Sequence, residues 1–139
     1  MASIFTRIVN REISCHLIAE TAAYIAFLDV HPLAKGHTLV IPKAEIDYIF
    51  DLPDNVLQEL MVFSKKVAQA IKTVISCEKI GVAVIGLEVA HAHIHLVPIR
   101  AVGDINFSNP KLELSVEELS SIATSIRIAY EQIHGSQEV

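Results

Sequence analysis

The sequence has no tryptophan and two cysteines, and aromatic residues fill only 6% of its 139 positions. Cys15 and Cys77 lie far apart and form no CxxC pair. A disulfide framework is therefore not expected, and a cysteine-based zinc knuckle lacks the ligands it needs. Two reduced thiols fit a cytoplasmic protein. Glycine and proline number five each. No Gly/Ser/Pro-rich stretch, repeat or low-complexity segment breaks the chain, so one domain over residues 1–139 is expected. Long apolar runs are also missing. The longest, Ala22 to Leu28, falls far short of the ~20 residues a membrane helix requires. The first residues carry neither the charged region nor the long apolar stretch of a signal peptide. Positive charge is in deficit, with 11 Lys+Arg against 16 Asp+Glu and a net charge of −5. No global positive field invites a nucleic-acid polymer or a membrane surface.

What is present is apolar material, 52% of the residues, enough for one buried core. Ile4, Phe5, Ile8, Val9 and Ile13 have the spacing of a short helix over 3–13. Residues 15–19 and 22–29 are rich in β-branched and aromatic groups, and the Glu20-Thr21 break between them predicts a hairpin. His31 to Gly36 is a loop leading into a strand from Thr38 to Pro42. Pro53 suits a first helical turn, and the stripe through Leu60, Phe63, Val67 and Ile71 predicts a helix to about Ser76. Strands are expected over 80–86 and 89–99. Ser115-Val116-Glu117-Glu118 reads as a capping box opening a last helix, which ends before Gly135. Hairpins and long returns give an α+β fold, an antiparallel sheet with helices on one face.

Three of the seven histidines fall within five residues, in His91-Ala92-His93-Ile94-His95-Leu96-Val97. On a strand, positions i, i+2 and i+4 share a face, so the imidazoles would line one side while Ala92, Ile94 and Leu96 seal a core on the other. Three readings compete. A row of surface histidines is one, and the strict alternation with apolar residues opposes it. A metal site is another. Positions i and i+4 on a strand are ~13 Å apart, so one ion would reach two of the three and need a further ligand such as His37. The third is nucleophilic catalysis: imidazole is basic near neutrality, can attack phosphorus, and splits one substitution into two through a phospho-histidine.

The pattern His-φ-His-φ-His-φ-φ, with φ apolar, resembles the motif of the histidine triad (HIT) family. Ile4 to Ile13, Phe27 to Pro32 and Gly36 to Lys43 resemble that family's upstream blocks, so the resemblance covers about residues 4 to 100, nearest the Hint branch and related bacterial members. It implies a HIT-like fold, a five-stranded antiparallel sheet with two main helices, usually a homodimer. It implies a purine nucleotide substrate of AMP type, hydrolysis or transfer at the α-phosphate, and no cofactor or metal. His93 would then be the nucleophile, and His91 would hold its second nitrogen, directly or through backbone. His95 would meet a phosphate oxygen or the bridging atom, with His37 a fourth imidazole nearby. Asp29 would accept the ribose hydroxyls, and Phe5, Ile8, Ile13, Phe27, Leu28 and Val30 would line the base pocket. Plainer readings stand beside these: Asp29 as a strand-end turn cap, Ile8 and Ile13 as core, His37 as a loop histidine. Gly86, Leu87 and Glu88 fall where the family binds phosphate and leaving group. Gly86 keeps the family's glycine, while Leu87 replaces an amide and Glu88 a hydroxyl. That departure keeps open a nucleotide-binding interaction protein with vestigial catalysis.

Overall fold

The structure, a computed structural model, describes residues 2–135. In chain order its elements are α1 (Ile4–Val9), β1 (Leu17–Glu20), β2 (Tyr24–Leu28), β3 (Thr38–Pro42), α2 (Asp54–Val74), β4 (Lys79–Ala83), β5 (Ile94–Ile99) and α3 (Val116–His134). Short 3-10 turns lie at Ile49–Asp51 and Val102–Ile105. The five strands form one antiparallel sheet in the order β1-β2-β3-β5-β4. The α+β architecture is thus as the sequence pattern requires.

Strand alternation sends two apolar sets to opposite faces. Ile18, Ala26, Val40, Ile94 and Leu96 meet the buried stripes of α2 (Leu60, Phe63, Val67, Ile71) and α3 (Leu119, Ala123, Ile126, Tyr130). Ile25, Phe27, Leu39 and Ile41 point the other way and are partly roofed by Phe5 and Ile8 of α1. Only the two long helices share a face. The short α1 lies on the opposite one, and the two faces do different work: one is core, the other carries the site.

Three expected boundaries shift for local reasons. The first helix ends at Val9 rather than reaching residue 13. Arg11 turns left-handed at φ 64°, and Glu12 N–H donates back to the carbonyl of Arg7 at 2.9 Å. No glycine announces this end, because an arginine occupies the position where glycine usually stands. The strand expected over 80–86 stops at Ala83, and the one expected over 89–99 begins only at Ile94. Before β3, Gly36 adopts φ 92°, and a Cβ there would lie 2.9 Å from Cγ1 of Ile75 and 3.3 Å from Cγ of Pro98. Both conformation and space require glycine at that point, and the turn it makes delivers His37 to the start of β3.

Candidate active site

Of the three clustered histidines, only His95 lies within the β5 ladder. The β3–β5 register pairs Val40 with Ile94, so the next hydrogen-bonded position back would place Ala92 against Pro42. Proline has no N–H to give, and the ladder ends there. Ala92 N–H instead donates to the carbonyl of Ile46 at 2.7 Å, and the carbonyl of Pro42 is taken by Nε2 of His91 at 2.8 Å. The expected alternation survives without the strand. Ala92, Ile94 and Leu96 enter the helix-covered core, while the imidazoles lie away from it. On the other side, β4 pairs with β5 no further than Ala83–His95, and Ile85 to Val89, which follow, line a cavity.

Hydrogen-bond partners assign each ring's tautomer. The backbone N–H of Leu33 donates to Nδ1 of His37 at 3.0 Å, so neutral His37 carries its proton on Nε2. That proton faces Nδ1 of His95 at 3.0 Å, which leaves the His95 proton on Nε2. Nδ1 of His93 lies 2.7 Å from the carbonyl of His91 and must donate to it, so Nε2 of His93 bears the free lone pair. His91 donates from Nε2 to Pro42 and accepts at Nδ1 from the hydroxyl of Ser3 at 2.9 Å. Burial disfavours the charged form of three of these rings: it pushes His37 down to about 3 and His95 down to about 4, in each case helped by a neighbouring imidazole, and lowers His91 as well. With His37 neutral, the 3.6 Å approach of its Nε2 to Oδ2 of Asp29 is a contact and not an ion pair.

The cavity holds about 560 Å³, in the range of small-ligand sites. Its wall includes every residue singled out from the sequence except His91, which sits fully buried behind His93. Phe5 meets the His93 ring edge-on at 5.0 Å and Phe27 at 5.7 Å, so one aromatic joins the apolar end to the imidazole end. The two readings of Asp29 coexist. Its Oδ1 caps the turn by accepting the N–H of His31 at 2.9 Å, while the carboxylate still borders the cavity, and burial raises its pKa. Ile8 is likewise both core and wall. Gly86 has φ 71° with no atom within 4 Å of a built Cβ, so its conformation and not crowding calls for glycine. Leu87 stands 88% exposed at the rim.

Sequence reasoning missed Phe107 and Lys111. Both come from the irregular segment before α3, where no periodicity or motif marks them. Phe107 packs edge-on against His95 at 4.7 Å, and Lys111 reaches the cavity wall with its ammonium donating to the carbonyls of Phe107 and Asn109 at 2.6 and 3.0 Å.

Asp29, His37 and His95 each place one potential ligand atom within 4.8 Å of the others. The tautomers oppose a metal there. Nε2 of His37 would have to be the ligand, yet the Leu33 N–H on Nδ1 holds the ring proton on that same Nε2.

Residues 10–102 match the HIT domain family. This chain belongs to the HIT family. It is 33% identical over 132 residues to the adenosine 5'-monophosphoramidase hnt1 of Schizosaccharomyces pombe, covering 91% of this chain and 96% of that protein. It is 39% identical over 101 residues to the adenosine 5'-monophosphoramidase HNT1 of Saccharomyces cerevisiae, covering 71% of this chain and 63% of that one. A solved Hit-like protein of Bartonella henselae superposes with a TM-score of 0.81 at 30% identity, over 91% of this chain and 95% of its own. The family includes hydrolases, and no described helix of this HIT protein is long and apolar enough to cross a membrane.

Proposed function

We propose that this HIT protein hydrolyses nucleotides at the α-phosphate, with a nucleoside phosphoramidate of AMP type as the substrate class, through a covalent phospho-histidine. The observation that carries the reading is the free lone pair on Nε2 of His93, fixed by donation from Nδ1 to the His91 carbonyl at 2.7 Å and bordering a 560 Å³ cavity. The ring is a ready nucleophile and needs no prior proton removal. Asp29 accepts the ribose hydroxyls through the lone pairs its turn cap leaves free, and the base lies between Phe5, Ile8, Ile13, Phe27, Leu28 and Val30. His95, neutral at physiological pH, presents Nε2–H to a phosphate oxygen as a hydrogen-bond donor, and His37 holds that orientation. Gly86 to Glu88 border the cavity, and their backbone N–H groups are assigned the stabilisation of charge developing on the equatorial phosphate oxygens. As the His93 Nε2–P bond forms, the P–N bond of the phosphoramidate breaks and the amine leaves with a proton from solvent; water then displaces His93 from phosphorus, gives its proton back to solvent, and the nucleoside monophosphate is released. No cofactor enters this scheme.

The test is intact-protein mass spectrometry after rapid mixing with an activated AMP ester. A transient gain of one AMP unit, mapped to His93, is the expected result. A nucleotide-binding protein with vestigial catalysis is the second reading, favoured by the Glu88 carboxylate in the cavity wall, which repels phosphate. That protein would bind AMP and form no adduct.

We also propose that the chain works as a homodimer in the cytoplasm. The β4 strand is a sheet edge, with Val82 exposed at 53% and nearby Val102 at 90%, and pairing with a second copy would cover these unpaired groups. Sedimentation velocity is expected to give twice the chain mass, and a Val82→Lys variant is expected to shift the protein to monomer. A monomeric wild type would remove the proposal.

A further inference from the structure

The first residues of the chain reach the reaction centre by an indirect route. Ser3 caps α1, its Oγ accepting the Thr6 N–H at 3.0 Å. The same oxygen lies 2.9 Å from Nδ1 of His91, and since that nitrogen is an acceptor, the Ser3 hydroxyl proton goes to it. Glu45 arrives from the loop after β3 and holds both partners in place. One of its oxygens accepts the backbone N–H of Ser3 at 2.7 Å and the Thr6 hydroxyl at 2.6 Å. These two bonds lower the Glu45 pKa to about 2, so the carboxylate is charged and accepting throughout the neutral range. His91 passes the constraint on: its ring is pinned at both nitrogens, and its carbonyl receives Nδ1–H of His93. Phe5, which lies between Ser3 and Thr6 on α1, meets the His93 ring edge at 5.0 Å.

We infer that Ser3, Thr6 and Glu45 form a latch that fastens α1 onto His91 and, through the His91 carbonyl, fixes the tautomer and aim of His93. This rests on His93 being the nucleophile. None of the three touches the cavity wall, so all are positioning residues. The latch acts on the attack step. The lone pair of His93 stays aimed only while Nδ1–H stays on the His91 carbonyl, and a small misplacement of a reacting atom lowers the rate far more than it lowers binding.

The experiment compares Ser3→Gly/Thr6→Val with wild type, using an AMP phosphoramidate for turnover and AMP itself for binding. Glycine is a tolerable N-cap, so the helix start is largely kept while both hydroxyls are removed. We expect kcat to fall about 10- to 100-fold, with AMP affinity changed by less than about threefold. Ser3→Thr, which retains the hydroxyl, recovers most of the loss, and Glu45→Gln, which retains an acceptor oxygen, falls less than Glu45→Ala. Ring-nitrogen NMR reads the same latch without turnover: wild type holds the His93 proton on Nδ1, and the double variant loses that single form. A purely structural role would instead weaken AMP binding and leave kcat in place. Wild-type kcat in the double variant, or an unchanged His93 spectrum, overturns the latch. If wild type itself forms no adduct and turns nothing over while the spectral change is seen, the hydrolase reading fails and the latch stands as a tautomer-fixing device.

Discussion

Replacing His93 with alanine is expected to lower turnover of an AMP phosphoramidate by at least about 10⁴-fold, because the step removed is the bond-making one and no neighbour can substitute for it. His95 is the nearest imidazole, with ring centroids 4.9 Å apart, but its Nδ1 faces His37 and its Nε2 carries the proton. It has no free lone pair to offer. His91 has both nitrogens occupied and is fully buried. Binding should survive, since Asp29 and the apolar wall around Phe27 are built from β2 and α1 and do not lean on the His93 ring alone. Calorimetry with AMP is expected to give an affinity within about threefold of wild type, with no AMP adduct by mass spectrometry. Alanine also leaves a void beside Phe5 and an unused His91 carbonyl, so His93→Asn, which keeps a polar group of similar reach, is the companion variant. Substantial hydrolysis by either variant would take the nucleophile away from His93.

The site was legible in the sequence to the extent that it depends on alternation. Spacing alone placed His91, His93 and His95 on one side and Ala92, Ile94 and Leu96 on the other, and the structure keeps that division. The strand that seemed to justify it is missing before Ile94, because Pro42 on the neighbouring strand has no N–H. An apolar-polar rhythm records which side is buried and says nothing about which backbone groups are paired. Asp29 and His37 were placed by their resemblance to family blocks, and the hydrogen bonds that set their state could not be read. The Leu33 N–H that fixes the His37 tautomer belongs to a loop backbone, which leaves no side-chain signature. Phe107 and Lys111 were invisible for a related reason. They reach the cavity through the irregular path of residues 106–111, and only tertiary packing brings that path to His95. Ser3 and Glu45 are separated by 42 positions in the chain, and no pattern of period two or 3.6 connects them.

Mild acid should destabilise this protein through its buried imidazoles. Free histidine side chains protonate near pH 6.5, yet burial pushes His37 down to about 3 and His95 down to about 4. As pH falls below 6.5, the unfolded chain takes up protons at these positions and the folded chain does not, so unfolding gains ground. The stabilising contribution is complete above about pH 7 and is lost progressively toward the folded values. Between pH 6.5 and 5 each of the two rings accounts for about 2 kcal/mol, and His91, lowered in the same direction, adds to the trend. Glu45 at about 2 and the lowered Glu20 lose their contributions only as pH falls through lower values. Asp29, raised by burial, has the opposite sign, and its effect grows as its own range is approached from above. Urea unfolding at pH 7 and pH 5 is therefore expected to differ by roughly 4 kcal/mol, a large share of the roughly 5–15 kcal/mol that holds a domain together. His37→Gln removes one of the titrating rings. It lowers stability at both pH values, since the Leu33 N–H loses its acceptor. The difference between the two should nevertheless shrink by about half, because that difference counts protons and not contacts. A wild-type protein equally stable at pH 7 and pH 5, or a variant with the full wild-type difference, would show that His37 does not stay neutral in the fold. A charged His37 carries a proton on Nδ1 and cannot accept the Leu33 N–H, so the contact that seats its ring against His95 would be lost.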